Sequence, residues 1–311
     1  MCGIAGKLYF DPSKVVEKSI LKEMTDSIIH RGPDDEGHLI IDNIGMGFRR
    51  LSIIDLNLGK QPLSNYGKTL WITFNGEIYN YKELRKDLEK KKYKFRTNSD
   101  TEVIVNLYEE YGYNCLKYLR GMFAFVIWDD KNKKLFGARD RVGIKPFYYY
   151  HNSDQFIWGS EIKAIKAGNN LITQIDNKSL DQYLNYGHTL SSSSIYNNIK
   201  KLLPGHYFFI EPLKSKEIKI KKYWDIKINK GSKSFEEYRE ELLYELKESV
   251  KMRMISDVPL GAFLSGGVDS SSVVSLMCEL SSKPIKTFSI GFKDKIMSNG
   301  ATFLQKEQLF P

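Results

Sequence analysis

Two stretches of this chain combine residue types and spacing that suit chemistry. The first is its start, Met1-Cys2-Gly3-Ile4-Ala5-Gly6. Once the initiator methionine is removed, Cys2 carries a thiol of ordinary pKa ~8.5 beside a free α-amine of ordinary pKa ~7.7–8.0. One residue then supplies both nucleophile and base, which is how amino-terminal nucleophiles are activated. Gly3 and Gly6 are read as leaving room for a ligand to approach the backbone. The second stretch is Ser265-Gly266-Gly267-Val268-Asp269-Ser270-Ser271. It follows an apolar run, 259–264, expected to be a short buried strand, and precedes a helix reaching about Leu280. A strand that turns through two glycines into a helix presents backbone N–H groups and the positive helix end, and both favour phosphate. The Gly-Lys-Ser/Thr ending of a Walker A loop is absent. Asp269 suits a metal ion, and equally suits the first turn of a helix as a favourable charge.

The elements around these stretches follow from periodicity. Residues 4–10 read as a strand and 19–29 as an amphipathic helix, followed by the irregular loop 30–37. Strand character returns at 44–56 and 68–74, and Asn75-Gly76 signals a turn that opens a helix at about 81–89. Caps at 97–102 precede a helix at 103–111. Strands follow at 121–128, 134–138, 147–150 and 156–159. Many strands with helices between and around them imply a layered α/β arrangement. The polar, serine-containing stretch from 169 to 234 reads as the region of the domain connection. Beyond it, Ser234 and Glu237 form a capping box for a helix with Phe235, Tyr238, Leu242, Leu246 and Val250 on one face. A second strand is expected at 285–290.

Composition narrows the class. The chain has 311 residues, 41% hydrophobic and 27% charged, which suits a two-domain globular protein. No long apolar stretch or secretory leader is apparent, so no membrane association is expected and the cytoplasm is the expected compartment. Cys2, Cys115 and Cys278 show neither disulfide nor zinc spacing. The net charge of +9 would suit a nucleic-acid binder without catalysis, a rival reading that steep salt dependence of binding would reveal. The densest basic runs, Lys90-Lys91-Lys92 and Lys219-Ile220-Lys221-Lys222, are short and read as solvated faces, so no nucleic-acid partner is expected.

Together the two stretches identify a family. From residue 2 to about Lys295 the chain resembles glutamine-hydrolysing asparagine synthases. The resemblance runs through Cys2-Gly3-Ile4-Ala5-Gly6, His30-Arg31-Gly32-Pro33-Asp34, Arg50-Leu51-Ser52-Ile53-Ile54-Asp55, Gln61-Pro62 and Phe74-Asn75-Gly76-Glu77-Ile78-Tyr79-Asn80. It continues through Ser99-Asp100-Thr101-Glu102, Ala138-Arg139-Asp140-Arg141-Val142-Gly143-Ile144-Lys145-Pro146, Ser256-Asp257-Val258-Pro259 and the Ser265 loop, which is similar to that of ATP pyrophosphatases. The resemblance implies an α/β fold: an N-terminal αββα sandwich of the amino-terminal nucleophile hydrolase type, then the start of a Rossmann-like ATP pyrophosphatase domain. The boundaries expected are 2–190 for the glutaminase domain, 191–234 for the connection and 235–311 for a partial synthetase domain.

By the same resemblance Cys2 attacks the side-chain amide of glutamine. Asn75 and the Gly76 N–H stabilise the oxyanion, and Arg50, Glu77 and Asp100 recognise the amino acid's charged groups. Leu264, Ser265, Gly266, Gly267, Asp269, Ser270, Ser289 and Gly291 are implied for ATP, with Asp269 for Mg2+. The partners implied are glutamine, aspartate and ATP, with no prosthetic group, and a homodimer is compatible with this reading. Arg139, Arg141 and Lys145 look like the family's loop at the domain boundary, or a basic surface turn. Phe48 stands where many relatives carry histidine. The tail after Gly291-Phe292-Lys293-Asp294 departs from the family, passing through Met297-Ser298-Asn299-Gly300-Ala301 to Pro311, so the chain is expected to retain only the glutaminase half. An amidotransferase acting on another carboxylate, such as a sugar acid, is the close alternative.

Because the Cys2 amine can act only when nothing precedes it, active protein is expected to lack Met1. Intact-mass spectrometry alongside a glutaminase assay checks this: full activity in material that wholly retains Met1 would refute it.

Overall fold

A computed structural model describes residues 2–168, 173–291 and 304–310. Met1 and the run 297–301 discussed above lie outside the described residues. The chain divides into two compact units, Met1–Lys227 and Ile228–Pro311.

The first unit begins with β1 (Gly3–Tyr9), α1 (Lys18–Asp26), β2 (Asp35–Ile41) and β3 (Ile44–Arg50). Next come β4 (Leu63–Ser64), β5 (Leu70–Ile78), α2 (Tyr81–Lys90), α3 (Asp100–Tyr111), β6 (Gly121–Asp129) and β7 (Lys134–Arg139). It ends with β8 (Tyr148–His151), β9 (Gln155–Gly159), α4 (Ile162–Ala167), α5 (Asn177–Tyr186), β10 (Ile199–Lys201), β11 (His206–Glu211) and β12 (Ser215–Lys222). The strands build two six-stranded sheets, in the orders β10-β8-β9-β1-β3-β2 and β12-β11-β7-β6-β5-β4.

Side-chain alternation explains the layering, since successive residues of a strand face opposite sides. In β1, Ile4 and Leu8 enter a core shared with Met46 and Phe48 of β3 and with Ala124, Val126 and Trp128 of β6. Ala5, between them, faces the other way and packs with Leu21 and Met24 of α1 and Ala164 and Ile165 of α4. On the second sheet Leu135 joins the inter-sheet core, while its neighbour Phe136 stacks on Tyr108 of α3 at 4.9 Å. Helices therefore cover the outer faces of two packed sheets, the expected αββα sandwich. Strands buried on both faces read as apolar runs, as Phe123-Ala124-Phe125-Val126-Ile127-Trp128 does.

Four sequence expectations are corrected. The connection expected at 191–234 instead holds β10, β11 and β12, and the two units divide after Lys227. The alternation of lysine and isoleucine at 219–222, which reads as the exposed face of a strand, belongs to β12, and lysines suit the edge position it takes. Asn75-Gly76 is not a turn, because β5 continues to Ile78 with Asn75 opposite Ala124 and Gly76 opposite Phe123. The space beside Gly3 and Gly6 is not ligand space. A Cβ on Gly3 would lie 2.8 Å from Ile28, and one on Gly6 2.1 Å from the Trp158 ring. Finally, the strand after Pro259 is not buried, since Phe263 is exposed.

The second unit holds α6 (Phe235–Arg253), β13 (Gly261–Phe263), α7 (Val268–Leu280), β14 (Ile285–Gly291) and β15 (Leu304–Phe310). Ser234 and Glu237 close the expected capping box on α6. β13 runs parallel to β14, with α7 as the crossover a parallel pair requires, and β15 is antiparallel to β14. Val250, Leu276, Met277 and Ile285 form its core, whereas Phe235, Tyr238 and Leu242 of the expected α6 face are exposed. No helix among the described residues is long and apolar enough to cross a membrane.

The contact at Gly6 sets a stability test. Gly6→Ala should cost about 1–3 kcal/mol by overpacking against Trp158. Gly67→Ala, where the nearest atom to the new methyl is 3.8 Å away, should stay within about 0.5 kcal/mol of the parent. Urea denaturation of the two variants measures the difference.

Candidate active site

Cys2 sits immediately before β1, which lies inside its sheet between β3 and β9. Its backbone is held from two sides. Arg31 Nε donates to the Cys2 carbonyl at 3.0 Å, and Arg31 Nη1 is paired with Glu161 at 3.1 Å. The next residue but one, Ile4, donates to Ser160 Oγ at 3.0 Å. The Cys2 thiol turns to the backbone of Leu51: the Leu51 N–H donates to Sγ at 3.4 Å and the S–H donates to the Leu51 carbonyl at 3.5 Å. Burial pushes the thiol pKa up, and the Leu51 N–H opposes it in part. The resting sulfur is therefore a thiol and needs a base to become a nucleophile.

β5 forms the wall opposite. Asn75 is 1% exposed, and neither its side-chain oxygen nor its nitrogen has a partner among the described residues. Leaving a buried polar group unpaired costs about 1–3 kcal/mol, so such a pair marks a place where a ligand completes the bonding. Gly76 permits β5 and β6 to approach, since a Cβ there would lie 2.1 Å from the Met122 carbonyl oxygen. Gln61 stiffens the strand from the side, its amide accepting from Phe74 N–H at 2.6 Å and donating to the Phe74 carbonyl at 3.2 Å.

The remaining walls are charged. Asp100, at the start of α3, is buried and accepts from the Ile78 N–H at 2.9 Å. Burial, with Glu77 adding repulsion, pushes its carboxyl up to about 7. Burial likewise raises Glu77, opposed by Lys145. Two carboxyls short of positive charge suit an arriving ammonium. Arg50 donates to the carbonyls of Leu56, Ile54 and Asp55 at 3.1, 3.2 and 2.6 Å. With three of its five N–H groups committed, two remain for a ligand. The loop so gripped is tied further by Asp34, which accepts from Ser52 N–H, and by Asp55, which accepts from Asn98 N–H.

Cys2, Arg50, Asn75, Gly76, Glu77 and Asp100, all singled out from the sequence, line one cavity of about 120 Å³. That is small beside the ~300–1,000 Å³ of drug-sized sites and suits a single amino acid. Phe48 also lines it while packing into the inter-sheet core. Lys145 lines it too, and is 4% exposed rather than on a basic surface turn. Asp140 folds the loop inward from a few residues away, and its direction is set by distant anchors, Phe123 N–H on Asp140 and the Leu202 carbonyl on Arg139.

The expected nucleotide residues lie in the second unit. Gly266 has φ +84°, and Gly267 caps α7, whose first turn carries Asp269. Ser265 and Ser270 hydroxyls are 3.0 Å apart, and Ser289 Oγ donates to the Leu264 carbonyl at 2.6 Å. Gly291 ends β14. Among the described residues no cluster of three or more His, Cys, Asp or Glu side chains could hold a metal ion.

Residues 1–224 match the family model described as glutamine amidotransferase domain, and residues 241–303 match that described as asparagine synthase. The chain is 42% identical over 297 residues to asparagine synthetase [glutamine-hydrolyzing] 1 of Bacillus subtilis, covering 95% of this chain and 46% of that relative. It is 41% identical to a putative asparagine synthetase [glutamine-hydrolyzing] 2 of Methanocaldococcus jannaschii, covering 95% of this chain and 60% of the relative. The chain thus spans about half the length of the curated relatives it matches. In fold it is similar to glutamine phosphoribosylpyrophosphate amidotransferase from B. subtilis, with a TM-score of 0.54, 18% identity and coverage of 95% of this chain and 67% of that one. With its first 224 residues matched as a unit and the two-sheet sandwich to go with them, the chain belongs to the glutamine amidotransferase domain family.

Proposed function

We propose that this chain hydrolyses glutamine with Cys2, and that the ammonia serves an asparagine synthase reaction. The observation that carries the reading is the convergence on one small cavity of the Cys2 thiol, the unpaired Asn75 amide, two carboxyls and a partly free guanidinium. Glutamine has the complementary parts: a side-chain amide, an ammonium and a carboxylate. Asp100 and Glu77 would take the ammonium, and the two spare Arg50 donors the carboxylate. With Met1 removed, the Cys2 α-amine accepts the thiol proton, and the sulfur attacks the amide carbon. The oxyanion that forms takes hydrogen bonds from the Asn75 Nδ2 and the Gly76 N–H. The C–N bond then breaks with return of the proton to the leaving ammonia, and water hydrolyses the thioester to glutamate.

In the second unit we assign Leu264, Ser265, Gly266, Gly267, Ser270, Ser289 and Gly291 to ATP, on the strength of the positive-φ glycine and the helix start. Asp269 is a single exposed carboxylate beside that loop, which fits Mg2+ held mainly through nucleotide phosphates and water. When bound, that ion would neutralise phosphate charge. Aspartate as acceptor and a cytoplasmic setting belong to the same reading.

Incubation with glutamine should release glutamate, and Cys2→Ala should abolish the release; a parent chain that releases none sinks the proposal. The two supporting roles separate kinetically. Asn75→Ala should lower kcat by about 10²–10³-fold, as loss of an oxyanion donor does. Arg50→Ala should instead raise KM about 10- to 100-fold, since it removes a charged contact to a group that does not react. The roles are wrong if both variants fail in the same parameter.

A further inference from the structure

Lys145 is built into the thiol cavity by groups that the reading above leaves unused. Asp140 is buried, and its carboxylate accepts from the N–H groups of Ile144 and Lys145, each at 2.9 Å, and from Phe123 N–H of β6 at 3.2 Å. Arg139 donates to the carbonyls of Lys145 and Gly143 at 2.7 and 2.8 Å, and to Leu202 at 2.7 Å. Gly143, at φ +74°, lets the chain make the tight return this demands. The backbone on both sides of Lys145 is thereby locked, and its side chain is directed into the cavity with Cys2, Asn75, Gly76, Glu77 and Met122. Its ammonium has neither a hydrogen bond nor an ion pair among the described residues. An unpaired ammonium on a largely buried side chain is costly, and the Arg139 and Asp140 side chains hold its loop in place by six bonds to backbone groups.

We propose that Lys145 is a positioning residue of this site: its ammonium supplies the positive charge that favours the Cys2 thiolate and keeps the Glu77 carboxylate turned into the cavity. Burial pushes the Lys145 pKa down, and among the charges around it Glu77, Cys2 and Asp140 oppose that while Arg31 adds to it. Those acting on the sulfur from the surrounding elements include Arg50 of β3 and Asp100 of α3 besides the chain's own amine. Arg50 and Lys145 are the two cations lining the cavity, and of these only Lys145 has no partner among the described residues. The consequence for turnover rests on the glutaminase reading; the effect on the thiol does not.

The test is the pH dependence of Cys2 alkylation by iodoacetamide in the full chain. It is read by mass on the amino-terminal peptide, so that Cys115 and Cys278 do not contribute. Lys145→Met should raise the apparent thiol pKa by about one unit, so alkylation at pH 7 slows about tenfold, while Lys145→Arg keeps it within about threefold of the parent. The kcat of the Met variant should fall at pH 7 and recover toward pH 9. Lys145→Gln replaces the Met variant should the latter fail to fold, as judged by circular dichroism. An unchanged thiol titration in the folded neutral variant overturns the assignment. A parent chain that shows the thiol shift but hydrolyses no glutamine would overturn the glutaminase reading and leave Lys145 in place.

Discussion

Everything at the site depends on the start of the chain being held inside a sheet. β1 has strands on both sides, an inter-sheet core against one face and α1 and α4 against the other. A chain end normally frays, because few contacts oppose its conformational entropy. Here residues 3 to 8 are buried without a break, so loss of β1 would open two hydrophobic clusters at once. The position of Cys2 follows from that burial, and the Arg31–Glu161 pair then fixes the direction in which its carbonyl points.

On this frame the cavity is organised by side chains whose polar atoms are spent on the backbone. Gln61 bonds β5 as a neighbouring strand would, Asp140 folds a loop inward, and Asp34 and Asp55 tether the loop that Arg50 grips. Such supports let the exposed functional atoms remain unsatisfied. The two free atoms of the Asn75 amide, the raised Asp100 and the unpaired Lys145 each cost stability, and Gln61, Asp140 and Arg139 hold the backbone that carries two of them. Preorganised polarity of this kind is what electrostatic stabilisation of a developing oxyanion requires.

The second unit is built differently. Among the described residues Val250, Leu276, Met277 and Ile285 form its core, while Phe235, Leu242, Phe263 and Val268 are largely in solvent. Small cores supply little net stability, since the fraction of surface buried on folding is lower for a smaller unit. Its loop therefore rests on local features: the left-handed Gly266, the cap at Gly267 and the hydroxyl bonds of Ser265, Ser270 and Ser289.

Much of this was legible in the order of residues alone. Strand and helix periods and the caps at Ser99 and Ser234 are local properties, and they determined the layered α/β class; Cys2 was legible from its place in the chain, whereas Arg50, Asn75, Glu77 and Asp100 entered through the resemblance of their motifs to the family's. What lay beyond reach depends on partners distant in the chain. Asn75-Gly76 reads as a turn until β6 pairs with it, Gly6 reads as open space until Trp158 fills it, and β11 reads as part of a connection until β7 and β12 receive it. Lys145 reads as part of a domain-boundary loop or a basic surface turn until that loop, anchored to Phe123 and Leu202, turns it inward. Local sequence determines which residues can do chemistry, because side-chain type and backbone propensity are intrinsic; only tertiary packing decides which space is empty, which charge is unpaired and which face is buried, because those are properties of neighbours.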